Sequence, residues 1–521
     1  MITEKATGIK EQEIQDYANT VISIVKEGYK SGDAIHKIEK DLFKKLLEMG
    51  HKAIGLLIEL CGSGDVGPRV WLDEEREVKR LSAPRVKPYL SIFGSFEISR
   101  YVYGSREGQK IEYTPLDSHL QLPRSKFSYL LQDWDQSLAV ETPYLRVNET
   151  LERIFELTVP VHSLERGNRE LSRSTQSYWE SQVVTPVAEE EQIVVCSADC
   201  KGVVIRKSQE EQAAYQREEA DMRKPASFEM GESKKRSGKK KMAVLGAAYT
   251  IGAHVRTPEE ILKSLFRAPE QPSPPGQPKR PKPISKHIRA SMQRDEDDTL
   301  APARKEIFRW LEQQQQQRNP LRQSQAVLIM DGEEALWNMG EACLTNESTV
   351  EILDIIHACS YVWKAVQALN PNDTIRNQLP IVKSYVEKIL SGEIHGLIRG
   401  LRWKATHKAL VGERLKQIKQ ACLYFQNNAQ RMRYNEYLAA GYQIASGVIE
   451  GACRHVVVDR MEGSGMRWVI AGAQSMLNLR CVYISGHWNH FIDYYIDSEQ
   501  NEIYPVKAAN DDSFITLRMA C

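Results

Sequence analysis

The chain lacks most of the features that announce a simple function. It has no C-x-x-C pair, and its nine cysteines are odd in number. That argues against a disulfide framework and a structural zinc site, and it suits a reducing cytosol. The least polar stretch, 243–255, is too short to span a bilayer. The opening residues, Met-Ile-Thr-Glu-Lys, show no apolar core of a secretory signal. No G-x-x-x-x-G-K loop is present to cradle a nucleotide phosphate. An excess of one charge is missing too, since 70 Lys and Arg face 69 Asp and Glu. Any case for nucleic acid must therefore rest on local patches.

What remains is a globular composition, 41% hydrophobic and 27% charged over 521 residues. That length suits about three or four compact units. From 11 to 60, apolar residues recur at three- and four-residue spacing, with a break at Lys30-Ser31-Gly32-Asp33. Two helices are expected there, ending at Gly62-Ser63-Gly64. Residues 88–104 alternate apolar and polar and predict a hairpin bending near Gly94. Helices are predicted near 127–139, near 145–156 and from Ser163 onward. Their spacing suits a helix-turn-helix. Arg166, Arg169 and Arg173 lie three and four apart, so they share one face, which could enter a major groove or simply meet water.

The pattern changes near 191. Strand-like runs fall at 193–196, 203–205, 242–255, 326–330 and 349–353. The charged stretch 208–241 and the Pro-rich 271–283 read as loops. Helices are expected from Ala303, over 334–342, after Asp354, throughout 372–440, and from Ser446 to Arg460. Three closely spaced strands followed by two with helical connections is the order of a ribonuclease-H-like fold, in a chain of mixed α+β and α/β character. Asp199 closes the first run and Asp331 the fourth, and these strands would be neighbours. Glu450 would reach the same point from a helix. Three clustered carboxylates cannot all stay ionised without a compensating cation. Mg²⁺ favours carboxylate oxygen, and two such ions can clamp an in-line phosphoryl displacement. Asp331 and Glu450 are 450 − 331 = 119 positions apart, which suits a helical insertion at 372–440, or else a larger helical domain with Glu450 at its surface.

Several further residues are candidates. Asp354 and His357 could bind a phosphate or tune a ligand, or could be a capping Asp with a packed His. Arg454, one turn after Glu450, could contact phosphate or hold that carboxylate. Arg467 beside Trp468 suits an unpaired base, or a buried indole under a snorkelling cation. Lys239, Lys240 and Lys241 end a basic run from Lys234, and 279–289 is basic as well.

Five segments carry a resemblance: YLSIFGSFEISRYVYG (89–104), SADCKGV (197–203), IMDGEEALW (329–337), ILDIIHACSYVWKA (352–365) and GVIEGACRHVVVDRMEGSGMRW (447–468). In order and in wording they resemble the Kra-type family of bacterial insertion-sequence DDE transposases, from about residue 88 to about 480. Cys200 departs from that pattern, which has Gly after the first Asp. The resemblance implies Asp199, Asp331 and Glu450 as the catalytic and metal-binding triad. It implies two Mg²⁺ ions, with Mn²⁺ as a substitute, and cleavage and strand transfer of double-stranded DNA at the element's ends. A homodimer or larger assembly, a cytoplasmic, nucleoid-associated location and no membrane would follow. A non-cutting DNA-binding regulator, or a nuclease without strand transfer, are the alternatives. The expected organisation is an N-terminal helical region (1–85), a small β subdomain (86–124) and a helix-turn-helix-like region (125–190). The catalytic core follows in two parts, 191–371 (with loops 208–241 and 268–300) and 441–521, separated by the insertion 372–440.

Overall fold

A computed structural model describes residues 2–72, 76–105, 111–182, 189–206, 240–267, 280–293, 300–346, 348–463 and 466–504. The charged run 207–239, including Lys239, most of the Pro-rich segment (268–279) and the acidic patch at 294–299 lie outside the described residues. The chain forms two compact units, Met1–Ser174 with Trp488–Cys521, and Thr175–His487.

In the first unit, α1 (Ile2–Ser31) and α2 (Ile35–Leu60) turn back on each other at Gly32, whose φ of 68° suits glycine. Strands β1 (Arg69–Trp71), β2 (Glu77–Arg80) and β5 (Tyr103–Gly104) make a small sheet. The hairpin at 88–104 is present as β3 (Arg85–Ser91) and β4 (Gly94–Arg100). Its tip docks on α2, where His51 stacks on Phe96 at 4.4 Å. A short helix, α3 (Pro115–Leu120), leads to a trio: α4 (Tyr129–Glu141), α5 (Tyr144–Phe155) and α6 (Val161–Arg173). Leu131, Val147, Leu151 and Leu164 form its core. Arg166, Arg169 and Arg173 are all exposed on α6, and Asn168 and Leu171 face inward. The C-terminal helix Trp488–Ile503 belongs to this unit, with Trp488 donating to Asp133 at 2.7 Å. The described residues after His487 thus group with the first unit and not with the sheet unit.

The second unit begins with α7 (Thr175–Ser181) and is built on a five-stranded mixed sheet. Its strands are β6 (Ile193–Val204), β7 (Lys240–Ile251), β8 (Ile284–Met292), β9 (Gln325–Met330) and β10 (Val350–Leu353), in the order β10-β9-β6-β7-β8. β6, β7 and β8 pair antiparallel, while β9 and β10 run parallel to β6. Two expectations need correction. The runs at 193–196 and 203–205 are one twelve-residue strand, because β7 pairs with it from Ile193 to Val204 and overrides the weak strand formers at 199–202. The strand this removes from the count is replaced by β8, which falls within the expected loop 268–300.

Helices cover both faces. On one side lie α9 (Ala301–Arg318) and α10 (Glu334–Cys343), packed on Cys196, Ala198 and Val244. Gly246 lets α9 lie flush, since a Cβ there would stand 2.7 Å from Ile307. On the other side the chain adds α8 (Pro258–Leu265) and α11 (Ile355–Leu369). The insertion region follows as α12 (Ile375–Leu390), α13 (Ile394–His407), α14 (Gly412–Asn427) and α15 (Tyr434–Ala439). Next come α16 (Gly447–Ala452), a π-helical turn (Cys453–Val458) running on into Asp459–Met461, and α17 (Ile470–Ile484). No helix among the described residues is long and apolar enough to cross a membrane.

Candidate functional site

The sheet forks where the acids lie. β6 and β9 pair in parallel from Ile193↔Gln325 to Cys196↔Leu328 and then stop, although β6 continues. Beyond that last pair the strands part, and Asp199 and Asp331 each lie three residues further along their own chain, close enough for the Asp199 charge to act on Asp331. Asp199 is therefore inside β6, not at its end as the sequence reading had it, and its other neighbour is Leu245 of β7. Side chains alternate across a strand, so Cys200 points to the opposite face from Asp199. Its thiol packs towards α9 and α10, and burial pushes its pKa up to about 12.

Asp331 follows β9 directly. One of its oxygens accepts from the Glu333 N–H at 3.0 Å, and Trp337 donates to its carbonyl at 2.5 Å. Burial raises its pKa above the usual carboxylate range; the charges of Asp199 and Asp354 add to this, and His357 opposes it. Asp199 accepts from the Cys200 N–H at 2.6 Å and from the Cys453 thiol at 3.2 Å. Glu450 sits on α16, half-exposed, with His357 Nε2 at 3.7 Å from its carboxylate. Desolvation raises its pKa, and so do the charges of Asp354 and Asp199. The Asp199 and Asp354 charges thus act on both Asp331 and Glu450.

Asp354 plays a different part. It is fully buried and caps α11, accepting from Ile356 N–H at 2.5 Å and His357 N–H at 3.4 Å. Its second oxygen accepts from Ser446 N–H at 2.7 Å and from the Ser446 hydroxyl. Ser446 is the residue before α16, and its carbonyl accepts from Glu450 N–H at 3.1 Å. Asp354 therefore ties the start of α11 to the start of the helix that carries Glu450.

Other candidates fall elsewhere. Arg454 is 74% exposed and pairs with Asp459 at 3.7 Å. The wider π-helical turn takes it away from the Glu450 face that an α-helix would have given it, so it does not hold that carboxylate. The cation over Trp468 is Arg460, at 5.1 Å, not Arg467. The Trp468 indole donates to the Met461 carbonyl at 3.2 Å, so the ring is a packed element and not a free platform, while Arg467 is exposed. Lys240 is exposed and meets Glu462 at 3.6 Å, whereas Lys241 is buried and offers no ammonium to a phosphate.

Three neighbours of the acids escaped the sequence reading: Ser446, Cys453 and Tyr424. Cys453 lies three residues after Glu450, so helical spacing could have placed it nearby. Tyr424 comes from α14, and its hydroxyl is buried with no hydrogen-bond partner among the described residues. Its ring lies on Gly332, where any Cβ would collide with it.

The acid set offers oxygen donors alone, and burial, with the charges of neighbouring acids, raises Asp331 and Glu450, as expected of carboxyls lacking countercharge. In donor type it fits a hard cation. Among the described residues, no three His, Cys, Asp or Glu side chains already stand as a metal centre, so the carboxylates would have to close together. The Cys453 thiol, a weak donor, is easily displaced from Asp199. No family model matches this chain, and no curated protein is similar to it.

Proposed function

We propose that the chain is a metal-dependent DDE transposase with a ribonuclease-H-like catalytic domain, acting on the ends of its own DNA element. The observation that supports this reading is that the Asp199 charge acts on both Asp331, just past the end of β9, and Glu450, on α16. The strand order supports it: three antiparallel strands in sequence, then two parallel strands added beyond the first.

Asp199, Asp331 and Glu450 would hold two Mg²⁺ ions, which supply charge neutralisation and Lewis acidity to a phosphodiester. The chain's own groups do the rest. Asp354 and Ser446 fix where Glu450 enters the site. His357, within reach of Glu450, is placed to donate to a phosphate oxygen. Bond exchange is an in-line displacement, with water as the first nucleophile and the freed 3′-hydroxyl as the second. No covalent protein intermediate is required, so no Ser or Tyr nucleophile is assigned. The exposed Arg166, Arg169 and Arg173 supply phosphate contacts in the helix-turn-helix-like region, with a salt-sensitive contribution. Two ends processed together call for a homodimer or larger assembly, working on the nucleoid.

Glu450→Gln should abolish Mg²⁺-dependent cleavage of terminal DNA and leave binding of that DNA intact. Cutting at the wild-type rate by this variant would remove Glu450 from the site. A joined product from pre-cleaved ends separates strand transfer from plain nuclease action.

A further inference from the structure

Tyr424 reaches the acid cluster from the helical insertion, and its surroundings are unusual for a tyrosine. Its ring stacks on Tyr361 of α11 at 3.7 Å with only 12° between the planes. On another side lies Gly332, where a built Cβ would come within 2.8 Å of the phenol oxygen. The hydroxyl itself is buried and has no partner among the described residues. A buried, unpaired hydroxyl is a net cost to the fold. Phenylalanine could make the same stack without that cost, so packing does not account for the oxygen.

Beside it, Asp331 has one oxygen engaged by the Glu333 N–H. Its other oxygen takes no hydrogen bond among the described residues. Burial keeps the phenol protonated, and the Asp331 charge acts in the same direction. A donor without an acceptor thus lies over Gly332, next in the chain to an acid with one oxygen unengaged.

Resting on the function proposed above, we infer that Tyr424 is a positioning residue for Asp331: its hydroxyl donates to the free Asp331 oxygen when the carboxylates close on a divalent cation. Ligand carboxylates are ordinarily oriented by such outer hydrogen bonds, and losing one typically weakens metal affinity about 10–100-fold. The insertion then does more than enlarge the protein. It supplies part of the frame that aims a catalytic acid, and Gly332 is small so that the ring can lie there.

The test uses the full chain and Mn²⁺ alone, counting free ion by electron paramagnetic resonance. Tyr424→Phe should fold with a melting temperature no lower than wild type and bind Mn²⁺ about ten-fold more weakly. Wild type should show a tyrosine absorption change on adding Mn²⁺ that Tyr424→Phe lacks. Gly332→Ala, which pushes the ring away from the other side, should weaken binding similarly and keeps the test alive if the first variant fails to fold. Wild-type affinity in either folded variant overturns the role of Tyr424. Asp199→Asn and Asp331→Asn discriminate the two levels: if they too bind Mn²⁺ like wild type, the proposed function falls. If they lose binding while Tyr424→Phe keeps it, only Tyr424 is wrong.

Discussion

The ends of β9 and β10 lie side by side in one parallel pair, and each is followed by an aspartate. At the β10 end, Asp354 is fully buried and accepts from two backbone N–H groups of its own helix and from both donors of Ser446. At the β9 end, Asp331 is partly exposed, accepts one N–H, and has a raised pKa in the company of other acids. The first carboxylate is saturated by donors and serves architecture. The second is under-supplied, and that deficit is what a cation would correct. Two residues of one type, on adjacent strands, are separated in role by their donor count.

The sharpest way to break this contrast is to neutralise each in turn. Asp331→Asn should lower Mg²⁺-dependent cleavage by more than about 10³-fold, measured as product formed on terminal DNA, because it removes a group acting on the transition state. Its metal-free stability should rise. The sign follows from the raised folded pKa: ionising Asp331 costs the folded state more than the unfolded one. Wild type therefore loses stability as pH climbs from the ordinary value of 3.8 through the raised folded value. Melting curves of wild type and Asp331→Asn should converge near pH 4 and below and separate towards pH 7, with the variant higher.

Asp354→Ala should instead act first on the fold, costing about 3 kcal/mol in denaturant unfolding through a lost cap and orphaned Ser446 donors. Stability equal to wild type would overturn the architectural role. A smaller effect is expected at α6. Replacing Arg166, Arg169 and Arg173 together by Ala should weaken DNA binding and flatten its salt slope by about 3, while unfolding shifts by about 0.5 kcal/mol or less per site. Smallest of all, Arg454→Ala should change stability by less than about 1 kcal/mol, because its ion pair is exposed. It should also leave cleavage intact.

The sequence was informative where side chains repeat and silent where partners are distant. Apolar spacing located α1, α2, the β3–β4 hairpin and the insertion helices, since each obeys its own local period. β8 was hidden because its polar members are answered from another element. Arg289 and Ser291 meet Glu306 at 3.1 and 2.9 Å, and His287 meets Gln314 at 2.9 Å. Read alone, those residues suggest a solvated segment. The break expected between 196 and 203 was false for a similar reason, since the continuity of β6 comes from pairing along β7 and not from its own residues. At the site, the order of the acids along the chain was readable. The tie from Asp354 to Ser446 was not, because its ends are 446 − 354 = 92 positions apart and neither residue type signals the other. The face of Arg454 was misjudged because nothing in that segment marks a π-helical turn.

The contact between Gly332 and Tyr424 reaches beyond this one chain. The two positions share a volume in which a methyl group at 332 requires the ring at 424 to move. In any descendant, alanine or serine at 332 would call for a displaced ring or a smaller residue at 424. The pair should drift as a unit, a linked substitution across strand and inserted helix that sets the two regions evolving in step.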